Sequence, residues 1–383
     1  MRLICINGID IQNANAVAGF TTGVISPTAI MGVTHALQRK MNQHFTQEPI
    51  QLLGTAMVVH DHHQHTFRND NGAIKFTQSR NSPYLYGLTD EKKSSTASVI
   101  EEGKMNVNLS LLIAYDGFIA NSDKVIKWLN THCRLLRIAG GSILDIKHID
   151  LISINDSEDI AEKRKLKQLV RTLLPGFVLY ERFDLLASHA QDQNIDTLTA
   201  WIDFVSLKQS ARPEHKLIDK HLEGLDDAML WETWQTYLLK PYQDTEIPNA
   251  IIQYFDSFED NKQYKKLLSE WQSYTNPDNK ALANWEYQPK PATGYLVPIM
   301  TGYKAISPVY KNNDIDNTRD ASTEVCFVEA IHSIGEWQSV HRIESLQELQ
   351  KALWCYDYQP NWYLCKQNFQ PQKTDNNDDS NPY

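Results

Sequence analysis

Residues Leu3 to Ile11 are apolar-rich and give way to the polar, small-residue segment Gln12–Ala16, a pattern that predicts a strand ending near Ile11. A glycine-bearing loop through Gly19 and Gly23 follows. Ser26 and Pro27 then predict a helix start, with the hydroxyl as N-cap and proline where a missing N–H costs nothing. Ile30, Val33, Leu37 and Met41 recur at helical spacing, so the helix should run to about Asn42 and bury that stripe. Gly32, His35, Arg39 and Asn42 fall on its other face. Strands are expected at Ile50 to His60, Ile74 to Gln78 and Asn106 to Tyr115, the last alternating Val107, Leu109, Leu111 and Ile113 with Asn106, Asn108, Ser110 and Leu112. A helix capped by Asn121-Ser122-Asp123 comes next, and a strand from Leu135 that ends in Gly140-Gly141-Ser142.

The order strand, helix, strands, helix, strand predicts an α+β fold of ferredoxin-like (RRM) type, an antiparallel sheet with helices on one face. A charged helix is expected from Ser157 to Leu174, carrying Lys163, Arg164, Lys165, Lys167 and Arg171 beyond an acidic first turn. From about Asp184 to Asn284 the chain turns helical, aromatic and acidic, with 17 Asp/Glu against 9 Lys/Arg. Trp201, Trp234 and Trp271 there are expected in a core. Strand character returns at Gly294–Met300, and Ser345 with Glu348 predicts a capping box. These features divide the chain into one domain made of residues 1–183 and 285–365, an inserted helical subdomain at 184–284, and a flexible tail at 366–383.

Composition changes this picture in one respect. The net charge is −10, which speaks against phosphate binding, yet residues 1–180 hold 19 Lys/Arg and 16 Asp/Glu while residues 181–383 hold 18 and 31. The two halves therefore face different partners. Five scattered cysteines (Cys5, Cys133, Cys326, Cys355, Cys365) suggest neither a disulfide framework nor a zinc ribbon. No run approaches about 18 apolar residues, and no signal-peptide pattern opens the chain, so a soluble, cytoplasmic protein is expected.

Among candidate chemistries, His60-Asp61-His62-His63-Gln64-His65 has metal-ligand residue types but consecutive spacing. A strand would send His60 and His62 to one face and His63 and His65 to the other, so no metal is expected. No Gly-x-Ser-x-Gly or Walker-type motif occurs. Gly140-Gly141 reads either as a tight bend or as a place where an RNA backbone comes close. Arg39 with His35, Arg137 before Gly140, Lys304 after Gly302, Arg319 after Asn317, and His341-Arg342 are singly ordinary surface charges. Together they form a candidate phosphate-reading set.

Several blocks resemble one known family. Ile11–Ala16, Ser26-Pro27-Thr28-Ala29, His35–Arg39, Glu101-Glu102-Gly103, Leu136–Leu144 and Leu173–Phe177 carry the likeness in the first half. Gly294–Ile299, Gly302-Tyr303, Ser307-Pro308, Asn317–Asp320, Gly335-Glu336-Trp337 and His341-Arg342 carry it in the second. The collinear set is similar to the second Csy subunit, the Cas-five-like RAMP protein of type I-F CRISPR surveillance complexes. The stretch from about His189 to Asn284 is longer and more acidic than the pattern expected of that family.

This resemblance implies a non-catalytic, cofactor-free RNA binder. It would hold the five-prime handle of the crRNA, pair with the large Csy subunit and abut the first backbone RAMP subunit, in the service of antiviral DNA targeting; contact with target DNA near the PAM stays open. On that reading Asn13 and Asn15 hydrogen-bond bases or ribose, Gly140, Gly141 and Ser142 admit the backbone, and Arg39, Arg137, Arg319 and Arg342 neutralise phosphates, with His35 and Lys304 beside them. Two alternatives remain. An assembly scaffold would use the acidic insertion to dock a basic partner, and a guide-processing endoribonuclease would draw on His35, His60 and Tyr303.

Overall fold

The computed structural model describes residues 1–23, 25–46, 49–80, 99–155, 159–240, 246–258, 262–276, 281–311, 314–316, 318 and 322–369. Their ten-stranded antiparallel sheet is built from β1 (Arg2–Asn15), β2 (Gln51–Gln64), β3 (Lys104–Asp116), β4 (Arg137–Ile138), β5 (Gly141–Ser153), β6 (Phe177–Glu181), β7 (Leu296–Ala305), β8 (Val328–Ser339), β9 (Cys355–Gln359) and β10 (Trp362–Lys366). Across the sheet the order is β4-β5-β1-β3-β2-β6-β8-β7-β10-β9. The helix α1 (Pro27–His44) joins β1 to β2, and α2 (Ser122–Cys133) joins β3 to the β4–β5 hairpin.

Alternation along β1 sets the layers. Ile4 and Ile6 enter a core with Ile30, Leu37 and Met41 of α1 and Leu129 of α2, while Leu3 and Cys5 enter a second core. That second core holds Leu166 and Leu169 of α3 (Ile160–Thr172) and, further along the chain, Leu346 and Leu349 near its end. Helices thus cover both faces of the sheet, where one covered face was expected. The sequence of the first 150 residues predicted the first layer; the second comes from segments distant in the chain. Burial keeps the Cys5 thiol protonated, pushing its pKa up to about 12.

Several elements differ from their sequence-predicted limits for identifiable reasons. β1 continues past Ile11 to Asn15 through a bulge, and α3 starts only after Asp159, whose carboxylate accepts the Ala161 N–H at 3.0 Å. Gly140-Gly141-Ser142 does not end a strand: it turns the chain into the 13-residue β5. At Gly141 a Cβ would lie 2.8 Å from the Ala14 backbone, whereas at Gly140, with φ +76°, it would meet nothing within 4 Å. Gly141→Ala is therefore expected to lower stability by about 1–3 kcal/mol through overpacking, and Gly140→Ala by about 1–2 kcal/mol through its left-handed backbone. Denaturant titration of both variants checks the order.

The chain divides into two compact units, Met1–Ser188 with Gly294–Tyr383, and His189–Thr293. After α4 (Phe183–Asp192), the second unit contains α5 (Thr197–Val205), α6 (Lys216–Glu223), α7 (Ala228–Leu238), α8 (Asn249–Asp256) and α9 (Lys265–Thr275). It also has a two-stranded ribbon, Gln209–Pro213 with Ala283–Tyr287, which the expectation of a purely helical insertion lacked. Trp234 and Trp271 are buried in its aromatic core and Trp201 is half-buried. The first unit is completed by α10 (Leu346–Lys351), which opens with the expected Ser345–Glu348 capping box.

Candidate nucleic-acid interface

The bulge at the end of β1 places Asn13 at φ 58°, a backbone region that asparagine tolerates better than most residues. Its N–H donates to Asn106 Oδ1 at 3.1 Å, which leaves the side chain exposed. Two residues on, the Asn15 N–H donates to the Ala139 carbonyl at 2.8 Å, and Asn15 Oδ1 accepts the Val17 N–H at 3.1 Å. The strand end is thereby tied to the β4–β5 hairpin, whose turn residues Ala139 and Gly140 both have positive φ. Across that hairpin Arg137 pairs with Ser142, and Ser142 pairs with Gln12 of β1.

Asn13, Asn15, Arg137, Gly140 and Ser142 therefore share one corner of the sheet, all exposed. Gly141 is in the same corner but buried, so its smallness serves packing against Ala14 and not a ligand. Alternation sets Arg137 on the hairpin face opposite Ile138, which is buried in the first core.

Beside this corner opens a cleft of about 930 Å³ bounded by Asn15, Ala139, Gly19, the first turn of α1, Tyr303 and Tyr363. The α1 N-terminus is well formed. Ser26 Oγ accepts the Ala29 N–H at 3.3 Å and lies 2.8 Å from the Thr28 hydroxyl, and Ser26, Thr28 and Ala29 all line the cleft. The positive end of the helix dipole thus points into the cleft, where it favours negative charge. Glu329 is the one acid among the described residues that line it. Burial and the neighbouring Tyr356 raise the Tyr363 pKa, so its hydroxyl stays a neutral donor. At the rim Phe20 is 87% exposed, its N–H donating to His332 Nε2 at 3.3 Å. Burial lowers the His332 pKa, which favours the neutral ring that can accept this bond.

His35 and Arg39 stand exposed on the outer face of α1, one turn apart, with Gln38 and Asn42 in a shallow depression. Arg39 lies eleven residues beyond Thr28, or about 16 Å along the helix axis. His35 approaches Tyr356 at 6.2 Å between ring centroids.

The remaining predicted residues do not join this group. Tyr303 lines the cleft, so alternation sends Lys304 to the other face of the sheet, where its ammonium sits 4.8 Å from the centroid of the Trp362 ring. Arg342 ends a 3-10 turn whose Val340 is buried in the second core with α3, in the opposite layer from α1. Arg319 and its neighbour Asn317 lie outside the described residues. The expected arginines thus form no single cradle. Even so, Arg39, Arg137 and Arg342 make no ion pair among the described residues, whereas Arg2, Arg134 and Arg182 pair with Asp116 (3.7 Å), Asp145 (2.8 Å) and Asp184 (3.0 Å).

The histidine run also departs from expectation. A register shift between Val59 and Asp61 separates His60 from His62. His62 joins Val59 in lining one pocket, while His60 lies 2.7 Å from both the Pro175 carbonyl and the Ser110 hydroxyl on the other side. Among the described residues no group of three or more His, Cys, Asp or Glu is placed to hold a metal ion. Nor do His35, His60 and Tyr303 converge: they stand on the outer face of α1, behind the sheet, and in the cleft.

Sequence reading missed Phe20, Thr28 and Tyr363. Phe20 had a signal, an aromatic beside Gly19 in a segment with no period to bury it. Tyr363 had none, because its place in the cleft depends on the pairing of β7 with β10.

Among known proteins, residues 4–241 and 250–365 match the family model described as "CRISPR-associated protein (Cas_Csy2)". The match runs through most of the second unit. Only the short gap between the two matched segments falls outside it within this span. The chain is also similar to the CRISPR-associated protein Csy2 of Pseudomonas aeruginosa (strain UCBPP-PA14), at 28% identity over 369 residues that cover 94% of this chain and 92% of that protein. Two-thirds and more of both chains align, on top of a family match over most of the sequence: the chain belongs to the CRISPR-associated Csy2 family, a type I-F Csy subunit.

Proposed function

We propose that this subunit holds the five-prime handle of the crRNA in its complex and does not cut it. The observation that carries the reading is the sheet corner where two exposed asparagines, the glycine turn and Arg137, which makes no ion pair among the described residues, adjoin a cleft closed by a helix N-terminus. Single-stranded RNA is recognised by such a mixture: edge and 2′-OH contacts from amides, phosphate contacts from cations and helix ends, and stacking on exposed rings. Phe20 supplies the ring.

The topology supports the same reading. β1, α1, β2, β3, α2 and β5 follow the strand–helix–strand–strand–helix–strand order, and their strands lie as β5-β1-β3-β2. Such an order is the one expected of a ferredoxin-like, RRM-type unit and supports that reading. His60, held at both ring nitrogens, is a poor general acid or base, which weighs against a nuclease.

Co-expression with the genomic neighbours and a crRNA, acting in the cytoplasm, should yield this chain in a complex with the large Csy subunit, the first backbone subunit and the guide. Purified complex that binds handle RNA no better than an unrelated single strand would end the proposal, as would discrete metal-independent cleavage of precursor crRNA by the chain alone.

A docking role for the second unit is favoured by its exposed Trp285 and Tyr287 and its acidic balance. Deleting residues 189–293 is expected to abolish copurification of the large subunit while handle binding survives. Pairing that persists through the deletion places the docking surface on the first unit.

A further inference from the structure

The exposed ring of Phe20 rides on a short ribbon in which Val17–Ala18 pairs with Thr21–Thr22 across a turn at Gly19 and Phe20. Backbone bonds fix the base of this ribbon: the Ala16 N–H donates to the Gly103 carbonyl at 2.8 Å, and the Gly23 N–H to the Ala16 carbonyl at 2.7 Å. Its tip rests on a side chain of β8. The Phe20 N–H donates to His332 Nε2 at 3.3 Å, and the two rings lie 5.4 Å apart, tilted by 36°. Gly19, at φ +62°, presses on the same imidazole, since a Cβ there would lie 2.8 Å from His332 Cε1. An accepting Nε2 requires the ring proton on Nδ1, and the Ala330 carbonyl takes a hydrogen bond from the ring. The neutral imidazole is thus matched at both nitrogens, a donor at one and an acceptor at the other.

We propose that His332 positions the Phe20 turn for RNA and releases it on protonation, so that handle binding falls in acid. The proposal rests on the handle reading of Phe20. A proton on Nε2 sets two donors against each other, and the bond to the turn is lost. The surroundings carry few charges. The ribbon Val17–Thr22 has no titratable side chain; β7 brings Tyr303 to the cleft and sends Lys304 to Trp362, β10 brings Tyr363, and β8 itself brings Glu329. Glu336, further along β8, is paired with Arg182. Burial, not a charged neighbour, lowers the His332 pKa, against the raising effect of the Ala330 bond. The held turn is therefore fully present above about pH 6.5, the ordinary histidine value, and is lost as pH falls through the lower folded value.

The test measures handle-RNA affinity of the heterodimer with the large subunit about one pH unit above and below 6.5, and amide hydrogen exchange over residues 17–23 without RNA at the same two pH values. The parent should bind about fivefold more weakly in acid, the loss of one hydrogen bond, whereas His332→Gln, whose amide oxygen accepts the same N–H without titrating, should hold within about twofold. His332→Leu has no acceptor, so it should bind at both pH values as weakly as the parent does in acid. His35 and the other histidines are common to all three proteins and cancel in the comparison. Exchange over residues 17–23 should be faster in the parent than in His332→Gln in acid and equal at the higher pH. The same pH dependence in parent and His332→Gln, or equal exchange in acid, overturns the proposal. A heterodimer with no preference for handle RNA at either pH ends the handle reading instead, and the exchange comparison then decides by itself whether His332 holds the turn.

Discussion

Arg39→Ala and Arg137→Ala should each weaken handle-RNA binding about fourfold at 0.15 M salt, and the double variant by about fifteenfold. The magnitude follows from counterion release: one phosphate contact to a single strand contributes a log–log slope of about 0.7, so two contacts should flatten the salt dependence by about 1.4. Near-additivity is expected because the two side chains share no partner, Arg137 standing on the hairpin and Arg39 on the outer face of α1. Arg134→Ala is the matched control. It is three residues from Arg137, but its guanidinium is committed to Asp145 at 2.8 Å, so its removal should leave affinity and slope alone. Fluorescence anisotropy on the heterodimer with the large subunit makes the measurement. Equal affinity and slope in parent and double variant would remove the corner from the RNA path. An effect confined to Arg137 would show instead that the handle turns at the corner and never runs along α1.

What the sequence made legible, and what it hid, divides by the range of the interactions concerned. The α1 cap and stripe, the Asn121 cap and the Ser345–Glu348 box are local chemistry and stand where predicted. Boundaries failed where a bulge or a turn decides them. Asn13 at φ 58° lets β1 run on to Asn15, and no periodicity reports a bulge before the partner strand is known. The same cause separated His60 from His62. Residues close in sequence to the glycine turn stand together because one hairpin carries them. Lys304 and Arg342 were not, since a one-residue difference in parity or a change of layer reverses the side to which a side chain points. The ion pairs that set Arg134 apart from Arg137 were likewise invisible, although the two residues look alike in sequence.

Trp234→Ala is the substitution expected to cost most stability. Its indole is fully buried, with the rings of Tyr274 and Tyr237 at centroid distances of 5.3 and 5.5 Å, and its N–H donates to Asp219 Oδ1 at 2.7 Å. Truncation should cost about 3–5 kcal/mol, a large fraction of the total stability of a domain of this size. It also strips a hydrogen bond from Asp219, whose other oxygen already binds His215 Nδ1 at 2.7 Å. Trp234→Phe keeps most of the ring volume and loses the donor, so it should cost about 1–3 kcal/mol. The second unit has its own aromatic core, in which Trp271 stacks on Phe255 at 4.4 Å, so the loss should fall on residues 189–293. Two thermal transitions are then expected, the lower one moved by Trp234→Ala and the upper one not. Limited proteolysis should cut the variant first within 189–293, while handle RNA stays bound and the large subunit is lost. A single transition that shifts as a whole would mean that both units unfold as one cooperative block, and Trp234 would then support RNA binding as much as docking.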